Sequence, residues 1–331
     1  MGNNKQLLNF INETNPDKLQ VEEDFGLGYV RLNTTEAQKR QAKDDIRDVE
    51  SVLIEMLRNS RDANASTIYV ASWKQNSKRN LVVIDNGEGI PGQMKNLVFE
   101  PRVTSKLNQI NYDTYGLHGR GMALYSTAVN CEYTKVTYSK PGGKLTAIKV
   151  VADNDKLPEK ANQSTWPSFD SSGSIKDGPH NLIRKSVEFN LANKKLDIFL
   201  GTQTEILSEM FKNDEFDFKK KSAKSIYEFA KVLELDISLR NCQRVFHGQI
   251  SLSRSILEII EKKSKVKTKG ALRSPAIASF LGNEELENIL KKIKYLVDET
   301  GKKSFIKTSE DASISKVGNK LVITLPLEIE E

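Results

Sequence analysis

The sequence predicts an α/β chain in which helices pack against a sheet, and three observations predict it. Apolar residues recur at helical spacing through residues 37–57. Two short runs rich in β-branched residues follow at 67–73 and 81–84, separated by polar residues typical of a turn. A glycine-led helical pattern at 121–129 then precedes another pair of strand patterns. Helices that alternate with strands in this way are typical of layered helix-and-sheet domains.

The remaining elements follow from local patterns along the chain. Further helices are predicted at 91–99, 221–233, 256–263 and 284–297. Further strands are predicted at 135–139, 145–151, 185–190, 195–200, 202–207, 236–239, 244–250 and 320–328. Residues 152–182 are rich in Asn, Asp, Ser, Pro and Gly, which indicates a long loop or insertion. We therefore predict a polar N-terminal arm at 1–36, a main domain at 37–210 and a mostly helical α/β region at 211–331, with the boundary near 208–220.

Composition excludes several classes of protein. The chain has 331 residues and a formal net charge of +6, which suggests two domains at roughly 150 residues each. We expect no membrane segment, because no apolar run approaches the roughly 18 residues that a spanning helix needs. Its two cysteines, Cys131 and Cys242, lack ligand-spaced neighbours, so we expect no structural metal and two reduced thiols in a cytoplasmic protein.

Two polar clusters follow elements of the predicted domain. Glu55 and Asn59 are four residues apart and share one helical face, where they interrupt an apolar stripe. A solvated helix face would give the same pattern. Asp85 ends an apolar strand before Gly87 and Gly89, and a carboxylate there can accept a hydrogen bond from an adenine amino group. An ordinary Asp-Asn-Gly turn is the alternative.

A third cluster precedes the helix pattern at 121–129. It contains Gly116, His118, Gly119, Arg120 and Gly121, and such a glycine-rich segment can present backbone amides to an anion. A mobile surface loop is the alternative. The spacing Gly87, Gly89, Gly92 also fits a dinucleotide fingerprint, but Pro91 interrupts it and the βαβ context is absent, so we reject that assignment.

The order and spacing of the three clusters resemble the GHKL, or Bergerat-fold, ATPases. This superfamily includes gyrase B subunits, large heat-shock chaperones, sensor histidine kinases and MutL-type mismatch-repair proteins. Within it the chain looks most like MutL, and topoisomerase VI B subunits are a second near relative. The MutL likeness is carried by Asn-Ser-Arg-Asp-Ala-Asn-Ala at 59–65, with Asn64 in place of a glycine, and by Pro-Arg-Val-Thr-Ser-Lys at 101–106 and Gly-Thr-Gln-Thr-Glu-Ile-Leu at 201–207.

The resemblance implies a two-layer α+β sandwich that binds ATP and Mg²⁺ between a helix and a lid. Glu55 would be the general base, Asn59 would hold Mg²⁺, and Asp85 would bind adenine beside Gly87 and Gly89. Thr202 would assist at the adenine end, near Asp85. The residues implied to contact the phosphates or form the lid are Lys106, Gly116, His118, Gly119, Arg120 and Gly121.

The resemblance also implies a use for ATP. Binding and slow hydrolysis would drive lid closure and association, either as an ATP-dependent homodimer or with a MutS-like or other protein partner, and DNA is a further partner that it implies. A chaperone-like or reactivating ATPase that acts on a protein without DNA is the alternative. The lid departs from the MutL pattern at 120–122, where Arg-Gly-Met replaces Gly-Glu-Ala.

Overall fold

The computed structural model describes ten stretches of the chain. They are residues 21–105, 111–113, 116–118, 121–140, 145–170, 172–215, 221–262, 283–301, 306–317 and 320–329. The chain forms two compact units that divide between Ser264 and Lys265. This division differs from the boundary predicted near 208–220, because the helices between residues 223 and 262 belong to the first unit.

A mixed five-stranded sheet forms the centre of the first unit. Its strands are β3 (Thr67–Gln75), β4 (Lys78–Asp85), β8 (Tyr133–Ser139), β9 (Thr146–Asp153) and β12 (Asp197–Gly201). They lie in the order β12-β3-β4-β9-β8, and β12 runs parallel to β3 while the other neighbours are antiparallel. The smaller strands are β1 (Val21–Gly26), β2 (Tyr29–Leu32), β5 (Val103–Thr104), β6 (Asn111–Asp113), β7 (Gly116–His118), β10 (Ser168–Phe169) and β11 (Ile175–Asp177).

Eight helices of the first unit are described. They are α1 (Glu36–Asp45), α2 (Val49–Asp62), α3 (Ala123–Asn130), α4 (Leu182–Ala192), α5 (Gln203–Lys212), α6 (Ala223–Val232), α7 (Leu239–Phe246) and α8 (256–262). Two 3₁₀ turns, Gly92–Met94 and Leu97–Phe99, occupy the stretch predicted as one helix at 91–99.

Both faces of the central sheet are buried, which explains why β4 reads as a continuous apolar run. Leu81 and Val83 face a core that includes residues of α2 and α4. Val82 and Ile84 face a second core, built with α5, α6 and α7. The predicted α/β class is confirmed. The predicted two-layer arrangement had helices on one face of the sheet only, whereas α5–α7 form a further layer on the other face.

The long helix predicted at 37–57 is two helices. Ile46 ends α1 in an extended conformation, and Asp48 starts α2 by accepting a hydrogen bond from the Ser51 amide at 2.8 Å. An aspartate at this position satisfies an amide that has no partner within the helix. The break changes the direction of the chain before Glu55 and Asn59 are reached.

Three predicted strand regions are helical instead. Residues 185–190 lie in α4, residues 203–207 lie in α5, and most of the predicted hairpin at 236–250 is replaced by α7. Each of these helices begins at a side chain that caps it, namely Asn181, Thr202 and Ser238. Thr202 and Glu205 form a reciprocal capping box, a helix-start signal that overrides the strand-like alternation of the short segment that follows.

The second unit is described at 283–301, 306–317 and 320–329. Helix α9 (Asn283–Gly301) confirms the apolar periodicity at 284–297. Strands β13 (Ile306–Thr308) and β16 (Leu327–Ile329) pair with each other, as do β14 (Ser313–Val317) and β15 (Lys320–Thr324). The strand predicted at 320–328 is therefore two strands in different sheets. In the described parts of the chain, no helix has the length and apolar character needed to cross a bilayer.

A buried carboxylate on α2 anchors the insertion that follows β9. Glu50 is 1% exposed, and its Oε1 accepts hydrogen bonds from the Lys160 amide and the Gln163 side chain. Its Oε2 is buried without a hydrogen-bond partner among the described atoms. Burial raises the pKa of Glu50, although the hydrogen bonds oppose that shift. The folded protein therefore favours the neutral form of Glu50. Protonated Glu50 adds to the free energy of unfolding at low pH, and this contribution is lost as the pH rises through the pKa of Glu50 in the folded protein.

We expect Glu50→Gln to stabilise the protein at pH 7.5 by on the order of 1 kcal/mol and to have little effect at acid pH. Thermal unfolding across this pH range measures it. Glu159→Gln is the matched control: burial raises the pKa of Glu159, but bonds from Arg79 and Lys74 outweigh it and lower the pKa. That variant should lose stability at neutral pH and recover as pH falls. An equal effect of Glu50→Gln on stability at neutral and acid pH would contradict a raised pKa for Glu50.

Candidate functional site

Helix α2 presents two of the predicted site residues to one cleft. The opposite face of α2 supplies Leu53 and Leu57 to the core, which fixes the rotation of the helix. Glu55 and Asn59 consequently line the cleft. Glu55 accepts a hydrogen bond from Arg58 at 2.8 Å. The structure therefore brings Glu55 and Asn59 together on the cleft wall, as their spacing predicts.

The side-chain amide of Asn59 has an unsatisfied donor. Its Nδ2 atom is buried and has no hydrogen-bond partner among the described residues. Such an unpaired buried donor costs about 1–3 kcal/mol unless something accepts its hydrogen bond. The side chain lines the cleft, so a ligand oxygen there can accept from Nδ2 while Oδ1 stays available to a cation.

Asp85 lies at the end of β4, where the cleft meets the sheet. It is 6% exposed, and its carboxylate accepts hydrogen bonds from the Ser60 hydroxyl at 2.8 Å and the Gly87 amide at 2.9 Å. Position 87 needs glycine, because a Cβ there would lie 2.6 Å from the Ala63 carbonyl oxygen. The close approach of this turn to α2 fixes the carboxylate in the cleft.

The strand beside Asp85 contributes a residue that sequence reasoning missed. Thr146 on β9 is directly opposite Asp85 in the antiparallel ladder, is buried, and lines the cleft. Its hydroxyl lies 3.2 Å from that of Ser139, which also accepts a hydrogen bond from the Ile90 amide at 2.7 Å. The Ile90 contact holds the turn after Gly89, whose φ is +87°. Asp85 and Thr146 thus place a carboxylate and a hydroxyl side by side in the cleft.

Thr202 lies elsewhere, which corrects its predicted place near Asp85. It caps α5 and donates its hydroxyl to Glu205 at 2.8 Å. The preceding Gly201 aligns with Ala71, and Ala71 aligns with Val82. Thr202 is therefore two strands away from Asp85 and is displaced along the sheet toward the opposite end of β4. Thr146, and not Thr202, is the threonine that lies beside Asp85 in the cleft.

Asn64 stands where the MutL pattern has a glycine, and its backbone adopts a conformation that glycine favours. Its φ is +59°, in the left-handed region that glycine and asparagine adopt most readily. Its Nδ2 donates a hydrogen bond to the Glu88 carboxylate at 2.5 Å. Asn64 therefore supports the turn that connects α2 to β3 and ties it to the loop after Asp85.

The predicted lid is described in part. Gly116 and His118 lie in β7, which pairs with β6. Gly121 lines the cleft with φ +68°, and a Cβ there would lie 3.1 Å from backbone atoms of Arg102. Lys106, Gly119 and Arg120 lie outside the described residues. The described lid thus meets the cleft at Gly121.

The N-terminal hairpin forms part of the cleft wall. β1 and β2 pair with each other, and β2 pairs with β5, where Val30 aligns with Thr104. Arg102 donates to the Asn33 carbonyl at 3.0 Å and to the Gln38 side chain at 3.2 Å. Arg102, four residues before Lys106, is therefore tied to Asn33 in the predicted N-terminal arm and to Gln38 at the start of the predicted main domain.

The cleft has a volume of about 600 Å³, within the range of small-ligand sites. Its described lining carries more acids than cations. The acids are Asp45, Glu55, Asp62, Asp85 and Glu88, and the cations are Arg58 and Arg102. An anionic ligand bound here needs additional positive charge from an ion or from the lid.

A magnesium ion fits this donor set. No cluster of three or more His, Cys, Asp or Glu side chains that could hold a metal is found among the described residues. Mg²⁺ commonly binds through one or two protein oxygens together with the phosphates of a nucleotide. The buried amide of Asn59 and the acidic lining suit that arrangement better than a closed protein-only site.

Comparison with known proteins assigns the class. Residues 46–173 match the family described as "Histidine kinase-, DNA gyrase B-, and HSP90-like ATPase". This segment includes Glu55, Asn59, Asp85 and the lid, so the match confirms the predicted GHKL resemblance over residues 46–173.

Within that class the chain is similar to MutL. It is 34% identical to the DNA mismatch repair protein MutL of Methanoculleus marisnigri over 116 residues, which cover 34% of this chain and 20% of the relative. It is 30% identical to MutL of Staphylococcus aureus strain Newman over 138 residues, or 40% of this chain and 20% of the relative. The alignments thus span about one fifth of these relatives.

One solved structure, titled "Crystal Structure of N terminal domain of a DNA repair protein", aligns over 49% of this chain and 51% of its own, with 17% identity and a TM-score of 0.28.

Proposed function

We propose that residues 37–210 bind ATP with Mg²⁺ and hydrolyse it slowly, and that ATP binding closes the lid and promotes association. The observation that carries the proposal is the meeting of Glu55, Asn59 and Asp85 in one cleft. Ser60 contacts Asp85 directly, and Glu55 lies five residues earlier on α2. At 1.5 Å per residue, the base-binding and catalytic ends are separated by about 7.5 Å along the helix.

Asp85 accepts a hydrogen bond from the adenine amino group, and Thr146 and Ser60 contribute hydroxyl groups beside it. Gly87 and Gly89 let the backbone approach the base. Because the carboxylate is already held by Ser60 and Gly87, its orientation is set before the nucleotide arrives. This arrangement favours adenine over bases that present a carbonyl at the same place.

Glu55 acts as the general base for hydrolysis. It orients a water molecule and accepts its proton as the water oxygen bonds to the γ-phosphorus and the bond to the β–γ bridging oxygen breaks. The products are ADP and inorganic phosphate. Asn59 Oδ1 would hold Mg²⁺, which when bound neutralises phosphate charge. Lys106, His118, Arg120 and the amides of Gly116, Gly119 and Gly121 are proposed to contact the phosphates from the lid.

The proposed use of ATP is control of assembly in the cytoplasm, in the manner of MutL. The contacts of the N-terminal hairpin with β5 and Arg102 support this use. Because of these contacts, ordering of the lid by nucleotide would change the position of the arm. The proposed partners are a second copy of the chain, a MutS-like or other protein, and DNA. Nucleotide can shift such an equilibrium only through its greater affinity for the closed state.

Sedimentation with Mg²⁺ and a non-hydrolysable ATP analogue tests this proposal. We expect a monomer without nucleotide and a dimer with it, and loss of the dimer on deletion of residues 1–20, which leaves the β1–β2 hairpin in place. DNA binding, measured by anisotropy with increasing salt, separates the two uses. Salt-sensitive binding supports the MutL-like role, and its absence together with ATP-dependent capture of a protein supports the chaperone-like one. A monomer in saturating nucleotide would refute the dimer.

A further inference from the structure

A buried arginine contacts the proposed general base. The Arg58 side chain is 4% exposed and its Nη1 donates to Glu55 Oε1 at 2.8 Å, while the Glu55 side chain is 18% exposed. Both residues line the cleft. Ion pairs on protein surfaces contribute little, but a buried pair holds its partners in a defined geometry because breaking it leaves a desolvated charge. The contact therefore restrains Glu55 on the cleft wall.

Helical geometry places Glu55 between two polar neighbours. Arg58 is three residues after Glu55 and Asn59 is four residues after it, so both lie one turn away and on either side of it. Acid before base in the chain is the favourable order for such a pair on a helix. Arg58 occupies one oxygen of Glu55 at a fixed position.

We propose that Arg58 is a positioning residue for ATP hydrolysis, which orients Glu55 toward the attacking water. This inference rests on the proposed ATPase function and adds a residue that acts through Glu55. The guanidinium keeps its charge and directs its donors in a fixed plane, which suits it to hold a carboxylate in one orientation. A misplacement of about 1 Å in a catalytic group can lower turnover by roughly a hundredfold.

The test is a double-mutant cycle on turnover. Arg58→Met is expected to lower kcat about 10- to 100-fold while the calorimetric affinity for Mg²⁺–ATP stays within about twofold, because binding rests mainly on Asp85 and Asn59. Arg58→Lys, which keeps a donor and a charge, should recover part of the loss. In the Glu55→Gln background, Arg58→Met should lower kcat no further, because a positioning residue has no effect once the base is removed.

Arg79→Met is the matched structural control. Arg79 also forms a buried pair, with Glu159 at 2.7 Å and side-chain exposures of 10% and 11%, but it lies outside the cleft. That variant should lose thermal stability with unchanged kcat and ATP affinity. If Arg58→Met likewise reduced stability and left kcat unchanged, the proposal would be overturned. A higher kcat in Arg58→Met, or a further loss of kcat in the Glu55→Gln background, would also overturn it.

The cycle also separates failure of this inference from failure of the proposed function. If the wild-type protein neither binds nor hydrolyses ATP, the ATPase proposal fails and the positioning role fails with it. If the wild type hydrolyses ATP and the Arg58→Met and Glu55→Gln effects multiply independently, only the positioning role is overturned. Thermal unfolding of the wild type, the two single variants and the double variant without nucleotide shows whether Arg58 and Glu55 are coupled in stability. This measurement does not depend on turnover.

Discussion

Replacing Asp85 with asparagine is expected to remove tight ATP binding while the domain stays folded. The amide can keep both existing contacts, since its oxygen accepts from the Gly87 amide and its NH₂ donates to the Ser60 oxygen. The variant loses the charged acceptor for the adenine amino group, and hydrogen bonds to charged groups contribute about 1.5–3 kcal/mol. We therefore expect ATP affinity, measured by calorimetry, to fall roughly 10- to 150-fold.

Nucleotide preference gives a second measurement of the same contact. Guanine presents a carbonyl oxygen where adenine presents an amino group, so a carboxylate at position 85 favours ATP and the amide of asparagine accepts either. The ratio of ATP to GTP affinity should fall towards one in Asp85→Asn. Asp153→Asn is the matched control, because Asp153 ends β9 at the opposite end of the sheet. Unchanged affinity and preference in a folded Asp85→Asn protein would remove Asp85 from the site.

Local sequence signals predicted the part of the site that depends on neighbouring residues in the chain. The four-residue spacing of Glu55 and Asn59 placed them on one helical face, and the core packing of α2 turns that face to the cleft. Asp85 was predicted at a strand end because apolar residues precede it and glycines follow. Helix and strand periodicity gave these residues their places on a helix face and at a strand end, and the resemblance to GHKL ATPases assigned those places to a nucleotide site.

The site residues that the sequence could not predict are those placed by strand pairing. Thr146 belongs to the site because β9 pairs with β4 in one particular register, and Thr202 does not because β12 lies on the far side of β3. Register and strand order come from contacts between distant segments. Ser60 was within a recognised motif, but its bond to Asp85 depends on the distance between α2 and β4.

The mistaken strands have a different cause. Residues 185–190 and 202–207 are short, and over six residues an amphipathic helix and a half-buried strand have similar apolar patterns. The distinguishing signals lay just before them, in Asn181 and in the Thr202–Glu205 capping box. Giving these caps more weight than the short alternating pattern would have predicted α4 and α5.

Removing the carboxylate of Glu55 is expected to have the largest effect on turnover. Glu55→Gln should bind Mg²⁺–ATP as the wild type does, but hydrolyse it about 10²–10⁴-fold more slowly, because an amide cannot accept the proton of the attacking water. Glutamine is the informative replacement because its oxygen can still accept the hydrogen bond from Arg58, which a Glu55→Ala change removes. Steady-state phosphate release and calorimetric ATP binding measure the two quantities separately.

Two variants on the same helix control for this result. Asn59→Ala should instead weaken ATP binding in the presence of Mg²⁺ and approach wild-type affinity when Mg²⁺ is withheld, since its proposed role is to hold the ion. Glu50→Gln changes a buried carboxylate five residues earlier on α2, at the contact with Lys160 and Gln163, and should keep wild-type turnover. If Glu55→Gln also kept wild-type turnover, Glu55 would be a cleft-lining residue without a part in the chemistry, and the base would have to be sought among the other acids that line the cleft.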